Sequence, residues 1–246
     1  MRDQPQQQPP PVQRLRVRYA KRGRLRFTSH RDFSRAFERA LVRARVPMAY
    51  SSGFNPHPRI SYAGAAPTGS ASEAEYLEIG LAQVVDPEEM RQALDAALPP
   101  GLDVLEVRPS AGGSLADLLQ ASIWRLSLPG VAEDEASRAA EAFLAAPEIS
   151  VERMTKRGLR TFDARGAVAA LAVVESGSSE GECAILQVVL RHGVPSVRPD
   201  DVLAGLREVS GLQAGAAATF ERVAQGTWDA QAGTVGDPLV LDRDAV

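Results

Sequence analysis

The residues best suited to chemistry crowd into the segment from Arg14 to Tyr62. It holds thirteen Lys and Arg against only Asp32 and Glu38, a local balance of +11. The whole chain carries −3, so the remainder carries −14. A basic block inside an acidic chain calls for a polyanion, and guanidinium forks match phosphate oxygens in pairs. Arg14, Arg16 and Arg18 alternate with apolar residues, then Lys21, Arg24 and Arg26 follow, and Arg35, Arg39 and Arg43 recur every four residues. Two histidines lie within the block. His30 stands in Ser29-His30-Arg31-Asp32, at an expected helix start where the dipole favours a neutral ring. His57 stands in Gly53-Phe54-Asn55-Pro56-His57-Pro58-Arg59, a loop stiffened by two prolines that presents Asn55, His57 and Arg59. A neutral imidazole can serve as a general base, so His30 and His57 are candidate acid–base groups. Arg26 or Arg59 would then clamp the developing anion. Asp32 either holds His30 or caps the helix.

Other chemistries find less support. The histidines lack a metal-ligand spacing, and neither metal nor cofactor is expected. Walker and Rossmann glycine loops are absent from the sequence. Cys183 is the single cysteine, so an intrachain disulfide is excluded, and its place in an apolar strand predicts a core residue. His192 ends an expected strand and has no assigned role. No apolar run reaches the roughly 20 residues of a membrane span, and the first residues lack a signal-peptide core. A cytoplasmic location without membrane contact is expected.

These residues need elements to position them. Leu15, Val17 and Tyr19 alternate with arginines, which predicts a half-buried strand with an arginine face. A second strand is expected at Arg24 to Phe27. Ser29 then caps a helix running to about Arg45, with Phe33, Phe37, Ala40, Leu41 and Ala44 as its buried stripe. Strands at Arg59 to Ala63 and Glu75 to Leu81, a helix at Pro87 to Leu98 and a strand at Leu102 to Val107 complete a β-α-β-β-α-β order. The order recurs: strand Ile123 to Leu128, helix Glu133 to Ala145, strands Val168 to Glu175 and Cys183 to Arg191 joined by a Gly/Ser turn, helix Arg198 to Val209, strand Ala216 to Val223. The expected fold is α+β, two tandem ferredoxin-like units. Residues 1–13 are read as a disordered leader, 14–109 as a basic N-terminal domain, 110–120 as a linker, 121–225 as a C-terminal domain and 226–246 as an acidic tail.

Lys21, Gly23, Arg26 and Phe27, then Ser29-His30-x-Asp32, then Ser52-Gly53-Phe54-Asn55-Pro56-x-Pro58-Arg59 resemble an uncharacterised bacterial family often called radical-SAM-linked. Its members occur alone or fused behind B12-binding radical SAM proteins. The match is dense over residues 15–81 and thins to Lys156, Arg157, Asp163 and Arg165 in the second half. The resemblance implies a radical SAM protein partner and names no reaction. The element order is also similar to RNA-processing proteins built from two ferredoxin-like units, such as CRISPR repeat-processing endoribonucleases. Three readings stand open: an RNA-binding or substrate-presenting accessory protein beside a radical SAM or RNA-processing enzyme, a metal-independent RNA-processing or RNA-modifying enzyme, and a module docking on an acidic protein.

Overall fold

Apolar residues on every second position make β1 (Gln13–Lys21), whose Leu15, Val17 and Tyr19 are buried. A computed structural model describes residues 7–155, 158–174, 183–215 and 217–244 of the chain. The fold is mixed α+β, in two units: residues 1–118 with 238–246, and residues 119–237.

In the first unit β1 leads through a 3-10 turn (Gly23–Phe27) into α1 (His30–Arg43), then β2 (Ile60–Ala63), β3 (Ala71–Leu81), α2 (Pro87–Ala97), β4 (Val104–Pro109) and the short α3 (Leu115–Leu118). The strands lie in the order β4-β1-β3-β2, each pair antiparallel. Phe33, Phe37, Ala40 and Leu41 of α1 pack on Leu15, Val17, Leu77 and Ile79 of the sheet. Tyr19 stacks on Phe33 with ring centroids 4.3 Å apart.

The second unit runs β5 (Ala121–Pro129), α4 (Glu133–Ala145), the hairpin β6 (Ser150–Thr155) and β7 (Gly158–Asp163), β8 (Val168–Val174), β9 (Cys183–Arg191), α5 (Pro199–Ser210), β10 (Thr219–Gly226) and the small hairpin β11 (Trp228–Asp229) and β12 (Thr234–Val235). Its strand order is β10-β5-β9-β8, again antiparallel throughout. Helices α4 and α5 approach closely at Gly205, where a Cβ would stand 2.7 Å from Phe143 Cε2 and 3.0 Å from Ile149 Cγ2. The β6–β7 hairpin is pinned by Arg153, which pairs with Asp201, donates to the Ser196 carbonyl at 3.0 Å and lies 4.8 Å over the Phe162 ring.

Several expectations are corrected. Arg24 to Phe27 is a 3-10 turn: Leu25 N–H donates to the Arg22 carbonyl and Thr28 N–H to that of Leu25. The strand stops there because Arg22 is drawn to Glu73 and Asp103, and Gly23 takes φ +53°. The β6–β7 hairpin was unforeseen, since its polar, Arg-rich sequence has no apolar face to announce it. Residues 226–246 are more than a tail: β11 pairs with β12, and α6 (Val240–Arg243) follows Leu239, which is fully buried. Within the expected leader, Val12 N–H donates to the Leu81 carbonyl and Pro11 packs over Gly80. The expected Gly/Ser turn before Cys183 lies outside the described residues.

The largest correction concerns the arginine face of β1. Arg16 is 1% exposed and all five of its N–H groups are taken. Its Nε donates to Glu78 Oε2 (3.2 Å), Nη1 to both Asp242 oxygens (3.0 and 3.1 Å), and Nη2 to the Gly112 and Gly113 carbonyls (2.6 and 3.1 Å). Arg14 pairs with Glu78 at 3.0 Å, and Arg18 Nε donates to the Glu73 carbonyl. Glu106 takes both Arg108 and Arg243 at 2.8 Å, which hold its carboxyl down at about 2 against the effect of burial. Lys21 is also buried, its ammonium 3.4 Å from the Ala66 and Pro67 carbonyls.

Removing Arg16 leaves Glu78 and Asp242 as buried, under-compensated anions. Arg16→Met should therefore cost about 3–5 kcal/mol in urea unfolding, whereas Arg14→Met, at a pair with one exposed partner, should cost under about 1 kcal/mol. Gly205→Ala should also destabilise, by about 1–3 kcal/mol, because the buried Phe143 ring would have to shift to admit the methyl group.

Candidate nucleic-acid interface

With Arg16 and Lys21 buried, the arginines free to meet a phosphate must lie elsewhere. Helix α1 supplies them. Ser29 caps its start: the hydroxyl accepts from Asp32 N–H at 3.2 Å and donates to the Asp32 carboxylate at 2.6 Å. The buried stripe fixes the roll of the helix and turns Arg31, Arg35 and Arg39 outward, all exposed. Four residues advance a helix about 6 Å, so the three guanidinium groups form a row about 12 Å long. None has an ion pair or side-chain hydrogen bond among the described residues. Arg35, Glu38, Arg39, Val42 and Arg43 line a shallow open groove beside that row. Val42 is 77% exposed within it. Arg43 is partly committed, donating to the Ala97 carbonyl at the end of α2 (2.7 Å). Like charges four residues apart repel by about 0.2–0.5 kcal/mol per pair. On the helix itself only Asp32 and Glu38 oppose this repulsion.

The remaining candidates are dispersed. Arg24 is exposed on the 3-10 turn. Arg26 lies with its guanidinium 4.8 Å over the Phe27 ring, and its buried Nε has no hydrogen-bond partner among the described residues. The Ser51–His57 loop is closed by the Tyr50–Pro58 bridge, with Ser51 N–H donating to the His57 carbonyl and His57 N–H to the Ser51 hydroxyl. Phe54, Asn55 and His57 at its tip are exposed. Arg59 Nε donates to the Tyr50 carbonyl at 3.1 Å.

His30 and the loop do not converge. The His30 ring meets Tyr62 edge-on, 4.9 Å between centroids, on the helix side of the sheet. Arg59 precedes Tyr62 by three residues, an odd step along extended chain, and its Cβ lies against Gly80 on the opposite face. Asp32 is engaged by Ser29, so it does not orient His30. Burial pushes the Tyr62 phenol up, with the Ser34 hydroxyl acting the other way. Among the described residues no group of three or more His, Cys, Asp and Glu could hold a metal ion.

Sequence reasoning passed over Arg31 as a site residue, although it stands four before Arg35 and so shares the stripe. It also gave no role to His192, which is built into the second unit. Its Nδ1 donates to the Leu119 carbonyl (2.7 Å), and its Nε2 faces the Ser122 hydroxyl (2.9 Å), which also accepts from Trp124 Nε1 (2.8 Å). Of the second-half motif, Arg165 clips the Leu144 carbonyl at the end of α4 to the Val168 carbonyl, and Asp163 accepts from Ile149, Arg165 and Gly166 N–H. Burial raises the Asp163 carboxyl and these donors outweigh it, leaving it low. Lys156 and Arg157 lie outside the described residues.

Burial, and secondarily the Arg222 charge, lower the His192 ring below its ordinary 6.5, while the Leu119 carbonyl acts the other way. The unfolded chain therefore takes up the proton first. The stability that His192 contributes is complete above 6.5 and is lost as pH falls through that value toward the folded one. The thermal midpoint should drop from neutral pH toward pH 5, and His192→Gln should flatten that slope in calorimetric scans.

No curated protein matches the chain. Among solved structures it is similar to a chain of a Cbf5-Nop10-Gar1 complex at 13% identity and a TM-score of 0.45, covering 89% of this chain and 54% of that one. The chain thus spans about half the length of that structure, and a likeness of this degree does not bear on function. A family model described as an uncharacterized protein conserved in bacteria (DUF2344) matches residues 14–199. That range takes in β1, the whole of α1 and the proline loop, and covers more than half of the sequence: the chain belongs to this family.

Proposed function

We propose that the protein binds RNA along the exposed face of α1 and acts as an accessory that presents RNA to a partner enzyme. The observation that carries this reading is the row Arg31, Arg35 and Arg39, exposed and without an ion pair among the described residues in a chain of net charge −3. On the sheet of the first unit acids have been brought to several arginines, at Glu78, Asp242, Glu106 and Glu73. A row left uncompensated in that setting is what a phosphate backbone neutralises. The antiparallel orders β4-β1-β3-β2 and β10-β5-β9-β8 support reading the chain as two tandem ferredoxin-like units. The motif resemblance supports a radical SAM protein as the partner enzyme, in the cytoplasm.

Retention of single-stranded RNA on filters tests the reading. With three phosphates neutralised, affinity should fall roughly tenfold or more between about 50 and 200 mM salt. Replacing Arg31, Arg35 and Arg39 together by Ala should weaken binding and lower the salt slope by about 2, leaving the thermal midpoint within a few degrees. Absence of retention at low salt removes the proposal. Tighter binding of poly-glutamate than of RNA would replace it with docking on an acidic protein.

A further inference from the structure

The second unit holds a cavity of about 570 Å³ at one end of its sheet, where β5 begins and β9 ends. Its wall includes Phe162, Trp228, Arg191, His192, Asp163 and Pro195. That volume lies in the range of small-ligand sites, about 300–1,000 Å³. Aromatics are only 5% of this chain, and one of its two tryptophans is placed here. Phe162 has Arg153 4.8 Å over its ring, and the Trp228 backbone is fixed, its main-chain N–H donating to the Gln120 side chain at 3.0 Å while the residue pairs with Val235. Arg191 has one N–H on the Gly166 carbonyl and no ion pair among the described residues, so its remaining donors are available. His192 has both ring nitrogens engaged and serves as wall, and the Asp163 carboxylate is taken by three backbone N–H groups.

We infer that this cavity binds a nucleotide, with its base against Trp228 and Phe162 and its phosphate on Arg191. Flat aromatic walls suit any base, and a single guanidinium suits a single phosphate. The choice of a nucleotide over other planar anions rests on the RNA reading; the cavity and its donors do not.

Titrating the full chain with AMP, UMP and inorganic phosphate, followed by tryptophan fluorescence, tests it. Trp124 is 4% exposed, so quenching by a stacked base reports Trp228. Both nucleotides should quench saturably and phosphate alone should not. Arg191→Ala should weaken nucleotide binding about tenfold, and Trp228→Leu should abolish the quench and weaken dialysis-measured binding by about tenfold or more. Circular dichroism checks that each variant folds, and should Trp228→Leu fail to, Arg191→Ala decides. Absence of saturable quenching at millimolar nucleotide overturns the inference, as does affinity that survives both substitutions or is matched by free phosphate. The α1 triple variant separates the two readings: it should keep mononucleotide binding while losing filter retention. Retention without mononucleotide binding removes only the cavity, and the converse removes only the α1 interface.

Discussion

A guanidinium buried at the centre of a sheet face constrains the first unit more than any other interaction. Arg16 must have every N–H met and its charge balanced, because an isolated buried cation costs many kcal/mol. Two carboxylates and two backbone carbonyls meet it, and they come from three places: β3, the turn after β4, and the segment that returns after the entire second unit. Asp242 also accepts from Ala111 N–H at 2.7 Å, and Ser110 donates to Glu78, so the turn and the returning segment lock each other. What reads as a cationic surface is the polar interior of the unit.

That arrangement explains the lopsided charge of the sequence. The acids opposing the basic block are present but lie far along the chain: Glu73, Glu78, Asp103 and Asp242. Where folding brings acid to base, the arginine is structural. Where it brings none, as along the outer face of α1, the charge projects to solvent. The aromatic surface of the second unit differs in kind, offering flat rings and one guanidinium in place of a charged row. Charge supplies long-range, salt-sensitive attraction; stacking supplies short-range, sequence-tolerant grip.

The local grammar of the chain was legible from its residues. Ser29 as cap, the Phe33-Phe37-Ala40-Leu41 stripe, Pro87 at the start of α2 and the span Glu133–Ala145 all follow from periodicity and capping, which act within a few residues. So does the outward row of arginines on α1, since a buried stripe leaves only one face for them. The hairpin of β6 and β7 was not legible, because its stability comes from Arg153 reaching Asp201 and Ser196, 48 and 43 residues away.

Only the tertiary structure decided which arginines are available. Period two placed Arg14, Arg16 and Arg18 on one face but could not say whether that face meets water, since covering it took Asp242, 226 residues from Arg16. It likewise separated His30 from Arg59, because an odd number of steps along extended chain puts their neighbours on opposite faces, and the loop closure that precedes β2 fixes that count. Sequence sets helix faces, caps and strand alternation because these depend on neighbours in the chain. Burial, charge pairing and the meeting of segments depend on neighbours in space, and for this protein they buried Arg16 of a basic strand and left the arginines of a helix exposed.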